Sequence, residues 1–266
     1  MNLDHIKEAV NYLKEQGVEL SSIGVVLGTG LGKFTDVLSD KIIINYKDIP
    51  HFPLSTVEFH SGKLVQGYLH GKKVIVLQGR LHYYEGYSMD DIVFPIRVFK
   101  MLGIQLLILS NAAGALNLNF KKGSLMLISD HVDLFPSHPL IGKNDNSLGS
   151  RFPDMSESYD VSIIDIFEKE AKDLNISIEK GIYISAQGPM LETSAEYRML
   201  RNIGADAVGM STIPEVVAAR HMGMKCCGIS ILTDECDPDN LNPIDIDEII
   251  KTASATENIF ILLLKN

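Results

Sequence analysis

Short apolar runs alternate with longer stretches of helical period along most of this chain. That alternation restricts the fold more than any other feature. The runs lie at 23–27, 42–44, 74–77, 106–109, 125–128, 182–184 and 228–232, and helix-like spacing falls at 90–102, 161–173, 193–203, 214–222 and 246–263. Near the N-terminus Leu3, Ile6, Val10 and Leu13 repeat at helical spacing, and Gly17 follows as a stop. Brief bounded apolar runs have the length of buried strands rather than of helices. Strands alternating with helices predict an α/β fold with a mixed, largely parallel central β-sheet flanked by helices. No composition break marks an interior boundary, so residues 1–266 are read as one domain. The Gly- and Asn-rich span 141–150 reads as a long loop, a kind of segment more often functional than idle.

The formal net charge is −10. A field of that sign opposes nucleic acid and acidic membrane surfaces, so an anionic ligand must be captured by a local cluster. No apolar run approaches the length of a membrane span. Met1-Asn2-Leu3-Asp4-His5 lacks the basic-then-apolar order of a signal peptide. The three cysteines are odd in number, and Cys226-Cys227 are adjacent in an apolar run. Buried free thiols in a reducing, cytoplasmic compartment fit them better than disulfides. No Cys/His spacing suggests a metal site.

Gly79-Arg80-Leu81-His82-Tyr83-Tyr84-Glu85-Gly86-Tyr87 follows the run at 74–77. It puts a cation, an imidazole and three tyrosines at a strand end, where open α/β sheets hold ligands. Arg80 offers a fork for an oxyanion, and tyrosine offers a flat apolar body with a polar tip. An anion together with a flat or ring-shaped partner is the expectation; an ordinary charged loop is the alternative.

Gly28-Thr29-Gly30-Leu31-Gly32 follows the run at 23–27. Its glycines let backbone approach an anion, and Thr29 adds a hydroxyl; a plain tight turn would look the same. A Walker loop is excluded, because Leu27 stands where a glycine is required and Phe34 follows Lys33. The dinucleotide fingerprint lacks its third small residue, which is Lys33, although Asp48 lies at a suitable distance. Ser110-Asn111-Ala112-Ala113-Gly114-Ala115 reads as a small-residue segment after a strand. In Gly209-Met210-Ser211-Thr212-Ile213-Pro214-Glu215, Thr212 and Glu215 read as a capping box with Pro214 in the first turn. Ser211 then precedes a helix N-terminus, which suits either an anion or simple capping. Glu192 and Asp234 end their elements and read either as a general acid and base or as solvated caps. His60, in Phe59-His60-Ser61-Gly62, is the histidine best suited to a site; His51, His70, His131, His138 and His221 read as structural or surface residues.

Four ordered motifs, GTGLG, GRLHYYEGY, SNAAGAL and GADAVGMSTIPEV, resemble the trimeric purine nucleoside phosphorylase family, which includes the methylthioadenosine phosphorylases. The resemblance runs from Gly28 to about Leu263. It implies phosphorolysis of a purine nucleoside to free base and ribose 1-phosphate in purine salvage. It also implies a homotrimer, with no metal and no cofactor beyond phosphate as co-substrate. On matching positions it implies phosphate binding by Thr29, His60, Arg80, His82, Ala112 and Ser211. Tyr84 and Met210 would meet the ribose, with Val208 also contacting the nucleoside, and Glu192 and Asp234 would face the purine edge. His82, Glu192 and Asp234 are the implied catalytic residues, and Phe152 would reach into a neighbouring subunit's site. Two positions depart from the branch that favours 6-oxopurines. Asp234 stands where Asn is usual, and Ile246 aligns with a His near the 5′-hydroxyl. Both lean towards 5′-methylthioadenosine phosphorylase, the alternative reading; a nicotinamide-dependent oxidoreductase built on GTGLG is a weaker one.

Overall fold

The computed structural model describes residues 2–56, 61–241, 243 and 245–265. The first helix, α1 (Leu3–Glu15), forms where the apolar spacing predicts it: Asn2 accepts the Asp4 N–H, and Ile6, Ala9, Val10 and Leu13 are buried. Gly17 ends it at φ +90, a backbone shape open to glycine. Strands β1 (Ile23–Leu27), β2 (Ser39–Asn45), β3 (Lys63–Leu69) and β4 (Lys72–Gln78) follow. The expected helix at 90–102 is two pieces, α2 (Met89–Ile92) and α3 (Phe94–Met101), broken at Val93. Pro95 explains the break, since it lacks an N–H and its ring collides with the carbonyl four residues back. The chain continues through β5 (Leu106–Ala115), β6 (Leu125–Asp133), α4 (Val161–Asp173), β7 (Ile178–Ser185), α5 (Ser194–Asn202), β8 (Ala207–Gly209), α6 (Ile213–His221), β9 (Lys225–Glu235) and α7 (Ile246–Lys265).

Among the described residues, nine strands make one mixed sheet in the order β2-β3-β4-β1-β5-β8-β7-β6-β9. Five ladders are parallel: β1–β4, β1–β5, β5–β9, β6–β7 and β7–β8. Because β9 pairs with both β6 and β5, the strands from β5 round to β9 close on themselves. Strands β1 to β4 leave this ring as an open wing. The core lies on the apolar runs, with Val25, Val26, Val76, Leu77, Leu107 and Ile229 buried.

This topology positions the site. Strands β4, β1, β5 and β9 run parallel side by side, so the segments at their C-terminal ends gather along one edge. The segment 110–115, expected after a strand, is the far half of β5, and Asp234 lies inside β9 opposite Gly114. A side chain on Gly114 would put a Cβ 2.4 Å from Cys236 Sγ and 3.0 Å from Asp234 Oδ2. The small-residue run therefore admits the side chains of β9.

Candidate active site

A cavity of about 590 Å³ opens at that edge. It brings together Thr29, Arg80, His82, Tyr84, Ala112, Glu192, Val208, Met210, Ser211 and Asp234. His60 lies outside the described residues. Phe152 is not part of this cavity: it stands on the loop between β6 and α4, 86% exposed, with the Arg151 guanidinium 5.8 Å from its ring centroid. A larger cavity, about 810 Å³, lies along the loop 139–148 beside Arg97 and His221. Arg97 there is tied to Asp90 at 2.8 Å and to the Pro139 carbonyl. The long loop thus lines a different cavity from the one the motifs build.

The cationic end centres on Arg80, just past β4. Its Nη1 donates to the Ser110 carbonyl at 2.7 Å, to Ser211 Oγ at 3.1 Å and to Thr212 Oγ1 at 3.3 Å. Its Nη2 pairs with Glu215 Oε2 at 3.0 Å, and both side chains are buried. The expected Thr212–Glu215 capping box is absent. Thr212 sits at φ +71 and ψ −53, makes no side-chain cap bond, and is spanned by an Ile213 N–H to Ser211 carbonyl bond of 2.8 Å. This is the strained form of the γ-turn. It turns the Thr212 hydroxyl inward, where Asn111 Nδ2 donates to it at 3.0 Å. The local pattern gave way to the demand of a buried arginine for a counter-charge.

The Gly28 N–H is taken by Ser110 Oγ at 3.2 Å, so this glycine serves packing rather than a ligand. A Cβ on it would lie 2.7 Å from Asn111 Cα. Gly30 has φ +80.

His82 stacks on Tyr84 at 4.8 Å, and its Nδ1 meets Glu85 Oε1 at 2.9 Å. Burial works to raise the Glu85 carboxyl, but hydrogen bonds from His82 and Thr56 outweigh it and hold it at about 2. Burial lowers His82 below the usual imidazole range, against the pull of Glu85. A neutral ring facing an ionised carboxylate carries its hydrogen on Nδ1, which makes Nε2 the acceptor nitrogen.

At the other end Glu192 precedes α5, whose start is fixed by a capping box between Thr193 and Glu196. Burial raises the Glu192 carboxyl above the usual range, and the neighbouring Asp234 charge adds to the rise. Ile246, Ile249 and Ile250 of α7 supply an apolar wall. One cavity thus joins a cationic, hydroxyl-rich end to a two-carboxylate end.

The phosphorylase superfamily model matches residues 22–265. Purine nucleoside phosphorylase 1 of Bacillus subtilis is 47% identical over 262 residues, covering 98% of this chain and 97% of its own. The chain belongs to the purine nucleoside phosphorylases of that superfamily. The Mus musculus purine nucleoside phosphorylase is 42% identical over 252 residues, covering 91% of this chain and 87% of its own. The Schistosoma mansoni purine nucleoside phosphorylase, solved in complex with adenosine, superposes with a TM-score of 0.94 at 38% identity and covers 99% and 96%.

Sequence reasoning gave no site role to Asn111, Tyr197 and Cys236, which line this cavity, or to Glu85 and Glu215, which pair with its His82 and Arg80. Glu85 stood in a quoted motif, and a glutamate three residues from a histidine in a tight turn was the available signal. Glu215 carried none, because its partner Arg80 lies far away in sequence.

Proposed function

We propose that this chain catalyses phosphorolysis of purine ribonucleosides, inosine, guanosine and adenosine among them, to free base and α-D-ribose 1-phosphate, in purine salvage. The observation that carries the reading is the single cavity with an anion end at Arg80 and a carboxylate end at Glu192 and Asp234. Phosphate is the co-substrate and nucleophile. Arg80, Ser211, Thr29, His82 and the Ala112 backbone hold it, with His60 assigned to the same role. Neutral His82 accepts the hydrogen of HPO4 2− at Nε2. A phosphate oxygen attacks C1′ as the N9–C1′ bond breaks, and the bonding pair leaves with the purine. Tyr84, Met210 and Val208 pack the nucleoside. Glu192 accepts from the purine N–H edge; a proton from solvent neutralises the charge that arrives at N7, and Asp234 accepts the hydrogen bond of the N7–H so formed. Positioning and electrostatic stabilisation supply the rate.

A homotrimer belongs to the same reading. Phe152 is exposed outside its own cavity, which supports its entry into a neighbouring site. Three buried free thiols support the cytoplasm as the compartment. Asp234 and Ile246 at the cavity favour a second substrate class, 5′-methylthioadenosine. The test compares kcat/KM for inosine, guanosine, adenosine and 5′-methylthioadenosine with saturating phosphate. Cleavage of the unmodified nucleosides supports the proposal. Strong preference for the methylthio substrate moves the chain to the second class, and cleavage of none overturns both.

A further inference from the structure

Two side chains touch Asp234 and have no task in the reaction above. Thr233 Oγ1 lies 2.8 Å from Asp234 Oδ1, and Cys236 Sγ lies 3.2 Å from Asp234 Oδ2. Thr233 does not settle how the carboxyl is used. Its hydroxyl also reaches the Ala113 carbonyl at 3.3 Å, so it can donate to Asp234 or accept from it. Cys236 does settle it. The thiol is 1% exposed, and burial together with the Asp234 charge pushes it far above the usual thiol range, so it keeps its hydrogen. The S–H points at Asp234 Oδ2, which is thereby an acceptor.

The arrangement has little room to change. Gly114 of β5 faces Asp234, and any side chain there would collide with Cys236 Sγ and crowd Asp234 Oδ2. Thiol and carboxylate occupy the space that this glycine leaves. A carboxylate fixed as acceptor rewards a hydrogen on the purine edge, from N7–H or a 6-amino group, and opposes the lone pairs of a 6-oxo group.

We propose that Cys236 is a positioning residue that keeps Asp234 a hydrogen-bond acceptor and so admits 6-aminopurine nucleosides to this site. The inference rests on the phosphorolysis reading and deepens it, by assigning a base preference to a residue that does not touch the reacting atoms.

The experiment measures the adenosine/inosine ratio of kcat/KM for the wild-type enzyme and for C236A, C236S and D234N. C236A should lower the ratio about tenfold, the size of a lost hydrogen bond to a charged group, and leave the phosphate KM unchanged. C236S, which restores a donor, should return the ratio to within about twofold of wild type. C236V keeps bulk without a donor and replaces C236A if alanine does not fold. In a D234N background C236A should leave the ratio where D234N puts it, because its effect runs through the carboxylate. Equal losses on both substrates, no rescue by serine, or the same shift with and without Asp234 would each overturn the inference. Failure of the wild-type enzyme to cleave either nucleoside with phosphate would instead overturn the phosphorolysis reading.

Discussion

Arg80 Nη2 and Glu215 Oε2 lie 3.0 Å apart, both buried, and join the loop after β4 to the first turn of α6. A guanidinium out of water needs a partner, and the pair fixes the plane of the guanidinium that is proposed to meet phosphate. Glu215→Gln keeps an acceptor but removes the charge. The expected result is a phosphate KM raised about tenfold with the nucleoside KM little changed. Glu215→Ala leaves the arginine charge uncompensated and should cost about 3–5 kcal/mol of stability in chemical denaturation. A phosphate KM equal to wild type in both variants would remove Glu215 from the anion end.

Thr212 stores backbone strain that its hydroxyl makes useful. Thr212→Val keeps the branched side chain and loses the hydroxyl that serves Asn111 and Arg80. It should be less stable by about 1–3 kcal/mol and weaker for phosphate. Thr212→Ser should stay near wild type on both counts. Steady-state kinetics and thermal melts separate the two, and a serine variant as impaired as valine would contradict the hydroxyl's role.

Gly28 is set by space. An alanine Cβ would come within 2.7 Å of Asn111 Cα and 2.8 Å of the Ser110 carbonyl, so β1 and β5 must part beside the anion end. Gly28→Ala should lose about 1–3 kcal/mol and raise the phosphate KM. An unchanged melting temperature would refute the close approach.

Acid should impair base recognition before it disturbs Glu85. In the proposed reaction Glu192 accepts from the purine only when ionised. Burial first, and the Asp234 charge with it, raise that carboxyl, so it takes up its proton at higher pH than an exposed glutamate. Glu85, held at about 2, stays ionised over that interval. The pH profile of kcat/KM for inosine should fall on an acid limb above the ordinary carboxylate range. Glu192→Gln should remove that limb and lower the plateau. An identical limb in the variant would assign it to another group, His82 first.

Much of the fold was legible because the apolar spacing that makes α1, β1, α4 and α6 is local. What failed was decided by contacts far away in sequence. Strand β3 escaped notice, although His70 (φ +47) and Gly71 (φ +77) make the two-residue left-handed turn that joins it to β4. Strand β8 has only three residues, too few to show a period. Residues 110–115 read as a small-residue segment following a strand rather than as part of it, and they are small because β9 side chains need the space. The Thr212–Glu215 pattern matched a capping box in sequence, but Arg80 claimed both side chains. Ordered motifs pointed to the cavity, whereas the partners of its charged groups emerged only in three dimensions.

The most direct test follows inosine with and without inorganic phosphate, in the wild-type enzyme and in Arg80→Met, and identifies the sugar released. The expected result is saturable dependence on phosphate, with ribose 1-phosphate and hypoxanthine formed in equal amounts. Arg80→Met should lose at least about a hundredfold in kcat/KM for phosphate. Release of free ribose at a rate independent of phosphate, or an Arg80→Met enzyme as active as wild type, would contradict phosphorolysis at this site.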